Sequence, residues 1–171
     1  IYAGVDNVAR KVKKGYIGVG GVARPFFSAE AVLEYYGAIT PLSQARQDLA
    51  ATTVGNYALF GGGFYYSTVD AYSTSLVRST PTGLSENRYN LAATTVGDYA
   101  LFGGGYAGSY SSMVNAYSTS LVRSTPTGLS EGRANLAATT VGDYALFGGG
   151  YTMSDSFVTS SYSTVDAYST S

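Results

Sequence analysis

The sequence predicts an all-β fold assembled from repeated four-stranded antiparallel units. Three observations carry this. The segment LAATTVGDYALFGGG stands at 91–105 and again at 136–150, and LAATTVGNYALFGGG at 49–63 differs from it only at Asn56. Within each copy a Gly-Asn or Gly-Asp pair separates two apolar runs, the signal of a tight hairpin. Pro81 and Pro126 follow a second shared block, and a residue without an N–H ends strand pairing there.

Each element of the unit can be justified in turn. LAATTV is a first strand whose small Ala and Thr side chains suit a crowded inner position. YALF, with the glycine triplet after it, is a second strand, apolar on both faces, with glycines where a neighbouring unit comes close. VDAYS (69–73, with VNAYS at 114–118 and VDAYS at 165–169) is a third, and LVRST (76–80 and 121–125) a fourth. Leu49, Leu91 and Leu136 head the copies at spacings of 42 and 45 residues. Four antiparallel strands at that period describe one blade of a β-propeller.

The flanks fit the same period. ITPLSQAR (39–46) aligns under PTGLSENR (81–88), which makes residues 34–40 an outer strand, expected to pair beside 165–171 of this chain or of a second one. The propeller region is then 28–171: a strand at 34–40 and blades at about 46–87, 88–132 and 133–171. Three blades are fewer than the four a ring typically needs. Either two chains close a six-bladed homodimer or the chain is a piece of a longer protein. Residues 1–27 form a separate unit, since YAGVDNVARKVKKG and YIGVGGVARPFF repeat with alternating polarity and read as β-hairpins. A turn of helix near 29–33, capped by Ser28, is the expected linker.

Composition narrows the function. The chain has 171 residues, of which 45% are hydrophobic and 12% charged, with a net charge of −1 and no Cys, His or Trp. A near-neutral chain offers no field for nucleic acid or an anionic membrane, and Arg10, Lys11, Lys13 and Lys14 read as guards of a strand edge. No apolar run reaches the ~20 residues of a membrane span. Without His or Cys, the usual metal ligands, the neutral-pH base and the Ser-His or Cys-His nucleophiles are missing. The expectation is a non-enzyme with no cofactor and no metal; the enzyme-class rival is a glycan-active site using Asp155 and a neighbouring acid. GVGGVA (18–23) matches a dinucleotide-binding pattern but is broken by Pro25 where a helix must follow. Asp70, Asn115 and Asp166 recur at one blade position and are assigned to backbone hydrogen bonds rather than Ca²⁺. Glu86–Arg88 and Glu131–Arg133 are read as surface pairs shaping the inter-blade loops.

The unit resembles the kelch repeat. Gly61-Gly62, Gly103-Gly104 and Gly148-Gly149 match its diglycine, Tyr72, Tyr117 and Tyr168 its tyrosine, and Arg46, Arg88 and Arg133 the arginine before the next blade. The resemblance covers 34–171 and departs where that family has Trp: here Arg78 and Arg123 stand, expected to stack on an aromatic. GYIGVGGVAR segments followed by such units are similar to virion-associated proteins of phages and prophages in gut Firmicutes. The resemblance implies a tail, fibre or decoration protein on the virion surface, made in the bacterial cytoplasm, with residues 1–27 anchoring it to other virion proteins.

The segments after the glycine triplets vary while the scaffold does not: FYYST (64–68), YAGSYSSM (106–113) and YTMSDSFVTSSYST (151–164). Their Tyr/Ser/Gly mixture resembles a binding paratope. Tyr65, Tyr66, Tyr106, Tyr110, Tyr151, Phe157 and Tyr162 are the candidate ligand-binding residues, for a host surface glycan or protein. The alternative is purely architectural, with the loops contacting other virion subunits.

Overall fold

A computed structural model describes residues 2–5, 8–11, 14–19, 22–28, 33–154 and 159–170, with side chains from Leu33 onward. Among these residues every regular element is a strand, every strand pair is antiparallel, and there is no helix. The helical turn expected near 29–33 falls almost wholly outside the described residues, and Leu33 itself is irregular. The chain divides into Ile1–Gly37 and Ala38–Ser171. The first unit holds two hairpins: β1 (Tyr2–Val5) with β2 (Val8–Lys11), and β3 (Lys14–Val19) with β4 (Val22–Ser28).

The second unit contains three sheets, one for each copy of the repeated segment, and a separate two-stranded sheet inserted in the third copy. β5 (Ala50–Val54), β6 (Tyr57–Gly61), β7 (Val69–Ser73) and β8 (Arg78–Ser79) form the first, in sequence order. β9 (Ala92–Val96), β10 (Tyr99–Gly103), β11 (Val114–Ser118) and β12 (Arg123–Ser124) repeat it in the second. The third has β13 (Ala137–Val141) and β14 (Tyr144–Gly148), then an inserted hairpin of β15 (Tyr151–Met153) and β16 (Thr159–Ser161), then β17 (Val165–Ser169). The turns at Gly55, Gly97 and Gly142 have φ of 51°, 50° and 52°, a backbone shape that glycine adopts without a Cβ penalty.

Two strand expectations are corrected. LVRST contributes only two paired residues per sheet, Arg78–Ser79 and Arg123–Ser124. Residues 33–40 form no strand, and the sheet of β17 has three strands, not four. The chain that follows is held elsewhere, since Thr40, Pro41 and Ser43 are tied to the first sheet through Tyr72, Arg78 and Asp70, and among the described residues no strand pairs with 33–39. Leu33, Tyr35 and Tyr36 are accordingly almost fully exposed.

Consecutive sheets meet through two nearly identical joints. In the first, Ala50, Val54, Leu59, Val69 and Ala71 on the trailing side of one sheet pack against Leu84, Leu91, Ala100, Phe102 and Tyr117 on the leading side of the next. In the second, Ala92, Val96, Leu101, Val114 and Ala116 meet Leu129, Leu136, Ala145 and Phe147. The glycine that ends the second strand admits the following ring: a Cβ on Gly61 would lie 2.7 Å from Phe102, and one on Gly103 would lie 2.9 Å from Phe147. Threonine hydroxyls bridge the inner strands, Thr52 to Thr95 and Thr94 to Thr140, each at 2.8 Å. Repeat identity therefore reflects a repeated contact.

The arginines are buried, which corrects the surface-pair reading. Arg46 donates to Asp70 at 2.8 Å and to the Phe60 carbonyl at 3.0 Å. Arg133 donates to Asp166 at 2.7 Å and to the Phe147 carbonyl at 3.1 Å. Arg88, fully buried, has Asn115 where the others have Asp, at 2.7 Å, and also donates to the carbonyls of Phe102, Gly104 and Met113. Glu86 instead accepts from the Ser111 hydroxyl. Asp70 and Asp166 also accept from the backbone N–H groups of Ser43 and Ser130, so their partners include backbone, as expected, and an arginine, which was not. Arg78 and Arg123, opposite Tyr72 and Tyr117 in the ladder, donate to the loop carbonyls of Pro41 at 2.6 Å and Gly83 at 2.8 Å.

These partners set a pH dependence. Burial alone would raise the Asp70 and Asp166 carboxyls, but hydrogen bonds from Arg46 and Ser43, and from Arg133 and Ser130, more than offset it and hold both below 3.8. Burial pulls the Arg88 guanidinium down to about 10, only partly offset by the Glu86 carboxylate nearby, and its direct side-chain partner is the neutral Asn115. Asn115→Asp is therefore expected to raise stability at pH 7 by about 1–2 kcal/mol, read by urea denaturation, since a hydrogen bond to a charged partner exceeds a neutral one. A carboxyl depressed in the folded state stabilises only above its unfolded pKa of about 3.9, so the gain must disappear as the pH falls through and below that value.

Candidate functional site

The backbone after each glycine triplet is held to the start of an inner strand. Phe64, Tyr106 and Tyr151 occupy equivalent positions, and their N–H groups donate to the carbonyls of Gln47, Tyr89 and Ala134 at 3.0, 2.9 and 2.9 Å. This sets one aromatic side chain per repeat at a common height on the same end of the sheets. The segments that follow then differ. The first stays a short turn, the second folds back through an isolated bridge between Tyr106 and Tyr110, and the third extends into the β15–β16 hairpin.

The rings form a continuous row across the repeats. Phe64 and Tyr89 have centroids 4.7 Å apart, Tyr89 and Tyr106 5.7 Å, Tyr106 and Tyr110 5.1 Å, and Tyr110 and Tyr151 6.0 Å. Most meet edge to face, the arrangement in which ring quadrupoles attract and each ring fixes the next. Tyr65 extends the row beyond Phe64, at 4.0 Å, and is largely exposed. The others are half-buried, so each ring keeps part of its surface open.

Beside the row lies a cleft of about 600 Å³, bordered by Tyr89, Asn90, Tyr106, Tyr110, Tyr151 and Met153 among others. Among the described residues that line it, none is charged. Burial and the neighbouring Tyr106 push the Tyr89 hydroxyl above its ordinary value, and like any tyrosine it is a protonated donor at physiological pH. The chemistry on offer is stacking surface, phenol and amide hydrogen bonds, and a flexible thioether. Among the described residues no three Asp, Glu, His or Cys side chains cluster as metal ligands.

The structure thus brings together Tyr106, Tyr110 and Tyr151 of the residues read from sequence, with Tyr65 at one end of the row. Tyr66 stands apart from the cleft, in a shallow depression with Ala45, Phe64 and Tyr65. Tyr162 is turned to Thr152, hydroxyl to hydroxyl at 3.2 Å, and braces the third loop. Phe157, with Asp155, lies outside the described residues. Phe64 and Tyr89 were missed. Tyr89 carried a usable signal, because it stands where the other copies have Gln47 and Ala134, directly after the constant arginine.

No model of a known protein family matches this sequence, and no curated protein matches it.

Proposed function

We propose that the protein is a non-catalytic binding module that holds a ligand on the tyrosine row and in the cleft beside it. The single observation behind this reading is the row of aromatic side chains that runs across all three repeats, four of which (Tyr89, Tyr106, Tyr110 and Tyr151) border one cleft whose described lining residues carry no charge. Tyrosine gives a large amphipathic contact area with only two side-chain torsions to order, so an edge-to-face row is pre-organised for recognition. In this reading the three sheets are blades of a kelch-like propeller on a phage tail or particle surface, and the ligand is a glycan or protein of the host surface. The repeated diglycine, tyrosine and buried arginine support the kelch likeness. The phage assignment rests on the sequence resemblance alone.

The experiment is a glycan array followed by calorimetry with whichever glycan or host-surface extract binds. Tyr89→Ala and Tyr110→Ala are each expected to weaken binding by about thirtyfold, the effect of losing an anchor worth about 2 kcal/mol. Tyr66→Ala, away from the cleft, should leave affinity within about twofold of wild type. Equal binding by all three variants would transfer the function away from this row.

A further inference from the structure

The third sheet leaves uncovered the side by which the first two join their successors. Val69 and Val114 are fully buried in the two joints, whereas their counterpart Val165 is 59% exposed. Val54 and Val96 are buried at 1% and 4%, and their counterpart Val141 is 60% exposed. A Cβ on Gly61 or Gly103 would strike the next ring, yet one on Gly148 would meet only Val165, at 3.3 Å. Gly55 and Gly97 sit under Thr119 and Thr170, while Gly142 has open space above it. Thr139, counterpart of the bridged Thr52 and Thr94, is exposed.

The first sheet presents the matching half. On its leading side Phe60 and Ala58 are only half-buried, although their counterparts Phe102, Phe147, Ala100 and Ala145 are all at 0% exposure. Both halves of a joint that the chain builds twice internally are therefore also present, unjoined, at opposite ends of the series of sheets.

We infer that the trailing face of the third sheet in one copy receives the leading face of the first sheet in a second copy, head to tail. The occupant follows from the internal joints: Phe60 of the second copy over Gly148, its Ala58 in one apolar cluster with Val141 and Val165, and its Thr53 hydroxyl bridged to Thr139. Such a contact is heterologous, using two different surfaces, and propagates until it closes into a ring or runs on as a filament. This inference is independent of what the tyrosine row binds.

Sedimentation of the full chain at about 100 μM is expected to give at least twice the chain mass, dissociating on dilution. Val165→Lys blocks the trailing face and Ala58→Lys the leading face; each alone should be monomeric with an unchanged circular dichroism spectrum. Mixed, the two variants should restore a 1:1 pair and nothing larger, because each keeps the half the other lost. Should either lysine impair folding, Gly148→Phe serves in place of Val165→Lys and Phe60→Ala in place of Ala58→Lys. A monomeric wild type, association indifferent to these substitutions, or failure of the mixed variants to pair would each overturn the inference.

Discussion

Arg46→Ala is expected to destabilise the protein by about 3–5 kcal/mol, the cost of removing one partner of a buried ion pair. The Arg46 and Asp70 side chains are both at 0% exposure, 2.8 Å apart, so the substitution strands a carboxylate away from water. It also frees the Phe60 carbonyl and leaves Asp70 only Ser43 and the more distant Arg78, whose Nε lies 3.8 Å away, which loosens the 40–46 segment. Asp70→Asn should cost much less. The second sheet already functions with Asn115, which still accepts from Arg88 and Ser85 while Arg88 spreads its charge over three carbonyls. Urea denaturation at pH 7 checks both. Equal losses for the two variants would show that the carboxylate, rather than the guanidinium, organises the loop.

Gly61→Val is expected to cost about 3 kcal/mol or more, since its Cβ would overlap the Phe102 ring and force the first two sheets apart. Phe102→Ala should cost about 3–5 kcal/mol from the opposite direction, by leaving a cavity in a fully buried site. The double variant tests the contact itself. If ring and glycine are paired as described, the two together cost well below the sum of the singles, because the valine occupies space the ring has vacated. Additive losses in thermal or urea unfolding would show that the two positions act separately. Gly148→Val, at the unjoined end, should leave the unfolding of the isolated chain nearly unchanged.

The all-β class and the first three strands of each repeated sheet were legible because hairpin turns and the period are local properties of the chain. Val54 and Tyr57 flank a two-residue turn that any reader of Gly55-Asn56 would place. The partners of the arginines were not legible. Arg88 meets Asn115 across 27 residues, and nothing nearby in sequence distinguishes that acceptor from Glu86, two residues away. Burial likewise depends on the neighbouring sheet: the same valine is buried at 69 and 114 and open at 165. In the candidate site, Tyr106, Tyr110 and Tyr151 could be found by comparing repeats for what varies. Tyr89 follows the constant arginine directly, so a search confined to the visibly variable segments passed over it.

The loop between the second and third strands has a consequence for how such a chain can change. Gly61 pairs with Val69, Gly103 with Val114 and Gly148 with Val165, although the chain between each pair lengthens from 62–68 to 104–113 to 149–164. The third even carries its own hairpin without shifting the ladder by a residue. Closing a longer loop costs only about 0.6 kcal/mol per doubling of length. Both ends of each loop are clamped, by the glycine–valine pair of the ladder and by the bond from the post-glycine residue to the start of the inner strand. This makes the position a cassette: sequence of different length and composition enters between fixed posts and leaves the ladder on either side unchanged.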